Sequence, residues 1–525
     1  MITLYDTTLR DGEQREGVSL SVEDKLRIVA RLDMLGVTYI EGGFPASNPK
    51  DIAFFEAAGD LTLKQAKVAA FGMTLRKGIT AVEDEGLVAL ADCSAPTVTV
   101  VGKAWDKQVE LALETTLEEN LRMVYEGVAY LVASGKEVFL DAEHYFDGYK
   151  SNSAYALEVL HTAVNAGASA LVLCETNGGA LPHEVYAITR STVEALADWS
   201  SAQVTVGIHC HNDGGCAVAN SLEAVRAGAT QVQGTVNGYG ERVGNADLLA
   251  LIANLELKMG HEVLGAERLQ LLTPTALFVA ETFNVTPDAH QPFVGQSAFA
   301  HKGGLHASAL ARFAGAYNHI DPTAVGNFAH VVVSELAGRA SLVSKAAQLG
   351  IDLPADDAIT AKLLADIKER EAAGYSYEVA DASLALLLRT ELGQPASYFK
   401  LESFRVIAEK REDGRVMTEA TIKLHVNGER FVATGEGNGP VNALDVALRL
   451  AIKRFYPQID LLELTDYKVR VLDESVGTDA ITRVLIETGN GEAAWGTVGV
   501  SENVIEASWD ALVDAVTYGL LVDIS

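Results

Sequence analysis

His209 and His211 stand two residues apart at the end of an apolar stretch, in the run VTVGIHCHND. A strand repeats its side-chain direction every second residue, so both imidazoles point to one side while Cys210 points to the other. Two neutral imidazoles on one face chelate a divalent cation and need one or two oxygen ligands to complete the set. Asp11 and Asn245, which follow other apolar runs, are the candidate oxygen donors. A His₂/Asp/Asn set with open positions suits an ion that binds substrate, whereas closed structural zinc sites favour thiolates. Arg10, beside Asp11, would hold a guanidinium near the same carbonyl oxygen, stabilising an oxygen that gains negative charge from two directions. Glu143, in FLDAEHYFD, is a candidate acid, base or orienting group. Asp141 shares its alternation and is expected to be structural. Thr176, in CETNGG, is a candidate hydrogen-bond donor to a substrate carboxylate.

Residues so far apart in sequence need a scaffold that gathers them. Short β-branched apolar runs recur at residues 2–6, 37–41, 67–71, 96–101, 136–141, 169–174, 203–208 and 230–235. Helical patterns lie between them. In SVEDKLRIVARLDMLG, Ser21 and Asp24 form a capping-box start, Leu26, Val29, Leu32 and Leu35 share a face, and Gly36 is the stop. In TLEENLRMVYEGVAYLVASG, Thr116 and Glu119 open the helix and Gly135 closes it. Eight strands alternating with helices predict a (β/α)₈ TIM barrel over residues 1–265. Such barrels carry their chemistry on the loops after the strands' C-terminal ends. Those loops here read DTTLRDGEQ, EGGFPASNP, DAEHYFDG, CETNGG, HCHND and TVNGYGERVGNAD, while the opposite ends, such as LGVTY and AGASA, are chemically quiet.

Residues 266–398 change character, with a glycine- and histidine-rich passage, VGQSAFAHKGGLHASALARFAGAYNHIDP, and helical segments such as ITAKLLADIKEREAAG; they are expected to form a linker with helical subdomains. Residues 399–525 repeat a three-strands-then-helix pattern, the helices Asp445–Tyr456 and Trp509–Leu520 lying 64 residues apart. A duplicated βββα unit suits ligand binding or dimerisation, giving an α+β regulatory domain behind the α/β barrel.

The net charge of −30 argues against a nucleic-acid partner, because displacing counterions from phosphates requires Lys and Arg. No apolar run approaches the ~20 residues of a membrane span, and a signal segment is not expected, because the first apolar run meets acidic and polar residues at once. Four cysteines without a CxxC fit a reducing compartment, so a cytoplasmic enzyme is expected.

The stretches TTLRDGEQ, HCHND and GYGERVGNADL, with HKGGLHASAL and the duplicated C-terminal pattern, resemble the acyl-CoA-dependent condensing enzymes with metal-binding TIM barrels, the family of 2-isopropylmalate, homocitrate and citramalate synthases. The resemblance implies metal binding by Asp11, His209 and His211, with Asn245 adjoining or ligating, the ion being Mn²⁺, Mg²⁺ or Zn²⁺. It implies that Arg10 is the electrophilic residue, that Gln14 and Thr176 contact the keto acid, and that Glu143 is essential. His306, in GGLHAS, matches a histidine that reaches into the neighbouring protomer's site, and Tyr317, in YNHIDP, matches a tyrosine of the same segment. A homodimer with shared active sites is therefore implied, while His301 is taken as structural. The implied reaction is a Claisen-type condensation of acetyl-CoA with a 2-oxo acid. The loops EGGFPASNPKD and LCETNGGALP resemble the citramalate branch, which uses pyruvate, makes (R)-citramalate on the way to isoleucine, and takes isoleucine as inhibitor. Alternatives are a 2-isopropylmalate synthase acting on 2-oxoisovalerate and, from another class, a non-catalytic amino-acid sensor with a vestigial barrel.

Overall fold

In Thr3–Asp6 (β1), Leu4 and Tyr5 face opposite ways, and this alternation sorts the whole N-terminal unit into an inside and an outside. The computed structural model describes every residue but 1, 46, 200–203, 302–305, 307, 308, 311, 332–338, 355, 356, 411, 473–479, 492 and 525. β1 is followed by Tyr39–Glu41 (β2), Lys67–Met73 (β3), Thr97–Lys103 (β4), Glu137–Glu143 (β5), Ala170–Glu175 (β6), Thr205–Cys210 (β7) and Gln231–Gly234 (β8). All neighbours are parallel, and the order β1 to β8 closes into a barrel. β1 completes the ring by pairing with β8, Leu4 opposite Val232 and Tyr5 opposite Gln233.

Leu4, Ile40, Val68, Val98, Val138, Leu140 and Val232 turn outward into the main apolar core shared with the surrounding helices. Each such side chain removed from water contributes about 1.5–3 kcal/mol. Tyr5, Tyr39, Ala69, Phe139 and Ala170 form a separate cluster. β1 and β5 are not neighbours, so the Tyr5–Phe139 contact, 6.1 Å between ring centroids, runs through the barrel's interior. This aromatic layer plugs the barrel, and the next layer toward the strands' C-terminal ends is polar: Glu41, Thr99, Asp141, His209 and Gln233, all buried.

The helices begin where the capping chemistry places them. Val22–Leu35 starts with a capping box between Ser21 and Asp24 and ends at Gly36, whose φ of 104° is the left-handed conformation glycine adopts without a Cβ clash. Leu117–Ala133 is capped by Thr116, whose hydroxyl accepts the Glu119 N–H. Helices Ala266–Leu269 and Leu272–Thr282 pack with the barrel, so the first compact unit comprises Met1–Phe299 and His319–Phe328.

The second unit comprises Ala300–Asn318 and Ala329–Ser525. It holds two antiparallel three-stranded sheets, Lys400–Lys410, Val416–Val426 and Glu429–Gly437, then Glu463–Val471, Thr482–Gly489 and Ala494–Ser501. Each sheet is followed by a helix, Pro440–Ile452 and Val504–Ile524, and one apolar core joins them. Helix Asp381–Glu391 belongs to this unit too, Leu384, Ala385 and Leu388 lying in one buried cluster with Val498. No helix among the described residues is long and apolar enough to cross a membrane.

Candidate metal centre and active site

β7 delivers His209 from inside the barrel wall, and the chain continues extended so that His211 emerges on the same side. The loop after β8 then folds back, pairing Asn245 with His211 in an antiparallel bridge. Two glycines make that return possible. A Cβ on Gly244, whose φ is 98°, would stand 1.9 Å from the Gly238 carbonyl oxygen, and one on Gly240 would stand 2.0 Å from Asn245 Oδ1. β1 brings Asp11 from across the closure.

Asp11, His209 and His211 are buried, and one ligand atom from each lies within 4.8 Å of the others. His209 Nε2 is 3.2 Å from Asp11 Oδ2 and 3.4 Å from His211 Nε2. Asn245 turns Nδ2 into this group, 3.0 Å from Asp11 Oδ2 and 3.3 Å from His209 Nε2. Its Oδ1 and the Nδ1 of His211 are buried with no hydrogen-bond partner among the described residues. Three electron-pair donors crowded into one buried volume repel one another unless a proton or a metal cation lies among them, and the His₂/Asp donor set fits a divalent ion. Asn245 would join them as a ligand only after its amide turns over to present Oδ1.

The electrostatics favour the ligating forms of Asp11 and His211, while His209 is left as the ring on which a proton competes with an ion. Burial pushes the Asp11 carboxyl up, but Arg10, then His209, outweigh it and hold it far below the usual carboxylate range. Burial, then the neighbouring His209, pushes His211 down to about 3, so this ring stays neutral. Burial also opposes charge on His209, yet the Asp11 carboxylate prevails and raises it.

Arg10 is held on three sides. Its Nε donates to Glu41 Oε1 at 2.6 Å, its Nη1 to Asp11 Oδ1 at 2.5 Å, and its guanidinium lies 4.0 Å from the centre of the Phe71 ring. Glu41 in turn accepts the Tyr5 hydroxyl at 2.6 Å. A cleft of about 470 Å³ runs past Arg10, Gln14, Phe44 and Phe71 without including Asp11 or the two histidines. Its floor is Lys25, a fully buried ammonium that donates to the Gly42 carbonyl at 3.1 Å and pairs with Glu13 at 2.9 Å and Asp51 at 2.8 Å.

Glu143 ends β5 and forms an ion pair with Lys103 at the end of β4. Thr176 Oγ1 accepts the His144 N–H at 2.8 Å, which satisfies a loop backbone group and leaves the hydroxyl proton free to be donated. Arg242 ties that loop down, donating to the Thr176 carbonyl at 2.9 Å while paired with Asp213 at 2.7 Å. Asp141 lies below the rim, within the polar layer. The structure thus gathers Arg10, Asp11, His209, His211 and Asn245 by direct contact, places Gln14 on the cleft beside Arg10, and puts Glu143 and Thr176 at neighbouring strand ends. His306 and Tyr317 belong to the other unit, where their rings stack 4.1 Å apart and His301 Nε2 donates to Asn318 Oδ1 at 2.8 Å. Their neighbours 302–305, 307 and 308 lie outside the described residues.

Four residues escaped the sequence reading. Glu41 and Lys103 each close a strand on the same rim as Glu143, and that position was the available signal. Lys25 interrupts the apolar stripe of its helix, sharing a face with Ile28, Val29 and Leu32. Gln233 gave no signal, because its partners come from other strands.

This barrel, with its donors at the C-terminal mouth, is of the HMGL-like class, and the family model of that description matches residues 1–273. Two more models match the rest: one described as homocitrate synthase post-HMGL domain-like over 293–374, and the LeuA allosteric (dimerisation) domain over 378–520. The chain belongs to the (R)-citramalate synthase family. It is 54% identical over 520 residues to the (R)-citramalate synthase of Streptomyces coelicolor, covering 99% of this chain and 96% of that one. It is 52% identical to that of Aquifex aeolicus, covering 99% and 98%. The 2-isopropylmalate synthase of Pyrococcus furiosus is more distant, 32% identical over 98% of each chain.

Proposed function

We propose that this chain condenses acetyl-CoA with pyruvate and water to give (R)-citramalate and CoA. The observation that carries the reading is the convergence of Asp11, His209 and His211 beside a guanidinium at one barrel mouth. The full-length similarity to chains named (R)-citramalate synthase selects pyruvate over 2-oxoisovalerate.

In this reaction the thioester's methyl carbon loses a proton and bonds to the keto carbon, the keto oxygen gains a proton, and water cleaves the thioester. Asp11, His209 and His211 would hold a divalent ion, Mn²⁺, Mg²⁺ or Zn²⁺, with Asn245 adjoining. Such an ion polarises a carbonyl as a Lewis acid. Arg10, with Nε and Nη1 committed to Glu41 and Asp11, keeps its other N–H groups for the keto oxygen as charge develops there. Gln14 and the free proton of the Thr176 hydroxyl orient the keto acid, and the cleft past Phe44 and Phe71 receives the acyl-CoA arm. Glu143, fixed by Lys103, orders the space where the two substrates meet. His306, stacked on Tyr317, serves the methyl proton's transfer from the neighbouring protomer, through water or directly. The match to a dimerisation domain supports the dimer this requires. Isoleucine is the effector assigned to the C-terminal unit.

The test is free CoA released from acetyl-CoA with a panel of 2-oxo acids, each with Mn²⁺, Mg²⁺ or Zn²⁺, and with isoleucine, leucine or valine added. Pyruvate should be preferred and isoleucine alone should inhibit. Faster turnover of 2-oxoisovalerate would overturn the substrate, and insensitivity to isoleucine would overturn the effector. His209→Ala should abolish turnover and weaken metal binding; a fully active variant would leave the site without its proposed role.

A further inference from the structure

The two ends of the Gln233 side chain face different partners. Its Oε1 lies 2.9 Å from His209 Nδ1, and its Nε2 lies 3.4 Å from Asp141 Oδ1. Gln233 is fully buried and Asp141 nearly so, so no water competes for either contact. An amide can be turned over, and the partner decides which way it sits. Asp141 has acceptor oxygens and draws the NH₂ end to itself. That leaves the carbonyl end for His209, and a carbonyl can only accept. Nδ1 must therefore carry a proton, so the neutral ring keeps its lone pair on Nε2, facing Asp11 and His211. Reversing the amide would put a donor against Nδ1, move the ring proton to Nε2 and fill the position where a cation would bind.

We infer that Gln233, oriented by Asp141, is the positioning residue that selects the metal-binding tautomer of His209. The chain of contacts spans three strands, β5, β8 and β7, so the ring's proton is set from across the barrel's interior. The inference rests on the metal reading of Asp11, His209 and His211, and extends it to residues that would never touch the ion. Neutral partners of this kind fix ring orientation and raise ligand basicity, and losing one costs roughly 10–100-fold in metal affinity.

Histidine-selective ¹⁵N NMR of the metal-free wild-type protein, at a pH high enough for the ring to be neutral, reads the tautomer without any substitution, and should show His209 with Nδ1 protonated and Nε2 bare. Titration of the metal-free protein with Mn²⁺ then compares variants. Gln233→Leu should weaken Mn²⁺ binding by about tenfold or more and redistribute the proton between the two ring nitrogens. The double variant Asp141→Asn with Gln233→Glu exchanges donor and acceptor roles at constant charge, and should restore both the affinity and the Nδ1 proton. A wild-type ring with Nδ1 bare, or unchanged Mn²⁺ affinity in Gln233→Leu, overturns the inference. Unchanged Mn²⁺ affinity in His209→Ala instead overturns the metal reading beneath it.

Discussion

Arg10 illustrates how a single side chain is made to do one thing. Glu41, Asp11 and Phe71 hold its guanidinium on three sides, and burial, which opposes its charge, is outweighed by the two carboxylates, so its pKa stands above an already high value. A planar fork can engage two carboxylates and still present further N–H groups, whereas an ammonium cannot hold that geometry. Arg10→Lys should therefore lower kcat by roughly 10²–10³ with metal saturating, the scale seen when one donor to a developing oxyanion is lost. Steady-state CoA release measures this, and a variant with undiminished kcat would remove Arg10 from the chemistry. Glu41 was only partly legible for a physical reason: its place at a strand's C-terminal end is local, but its partners Arg10 and Tyr5 reach it through space from β1 and the loop after it.

Elements were the most legible level. Short β-branched apolar runs between helical patterns located all eight barrel strands, and the Ser21 and Thr116 caps located two helix starts, because both signals are local to the chain. The HxH pair could be read for the same reason, since period two alone sets both rings on one side. What remained hidden depends on distant contacts: Gln233 against Asp141, Lys103 against Glu143, and the grouping of helix Asp381–Glu391 with the C-terminal sheets. In that last packing, Asp514 of helix Val504–Ile524 accepts the Ser383 hydroxyl at 2.6 Å, and burial pushes its carboxyl up to about 6. Its folded pKa lies above the ordinary 3.8, so the folded state holds the proton more tightly than the unfolded chain. Its stabilising contribution is complete below about pH 4 and is lost as pH rises through about 6. Asp514→Asn keeps an acceptor for Ser383 and should flatten that part of the stability curve. Thermal unfolding of both proteins between pH 4 and pH 7.5 measures it, and parallel curves would refute the assignment.

At the scale of the whole molecule, the chain divides into two compact units, and where it is cut should decide whether the remainder is well behaved. Ending the chain after Phe399 removes the C-terminal partners of helix Asp381–Glu391, Val498 among them, and partly bares Leu384, Ala385 and Leu388, each leucine worth up to about 1.5–3 kcal/mol of burial. Such a fragment should bind hydrophobic dyes and aggregate. Ending it after Phe328 retains the barrel unit and should keep Mn²⁺ affinity; a loss beyond about tenfold, or 1.4 kcal/mol, would show that the barrel needs the second unit to hold its ligands. The ring's closure also sets a timetable for birth on the ribosome. Asp11 meets Asn245, 234 residues downstream, only after β8 has been made. At roughly 5–20 residues per second, on the order of ten to fifty seconds pass during which β1 has an unsatisfied edge beside its β8 face. Until that moment the nascent chain carries a half-built coordination sphere and an adhesive seam, so a chaperone shielding the first strand would guard the catalyst and the fold together.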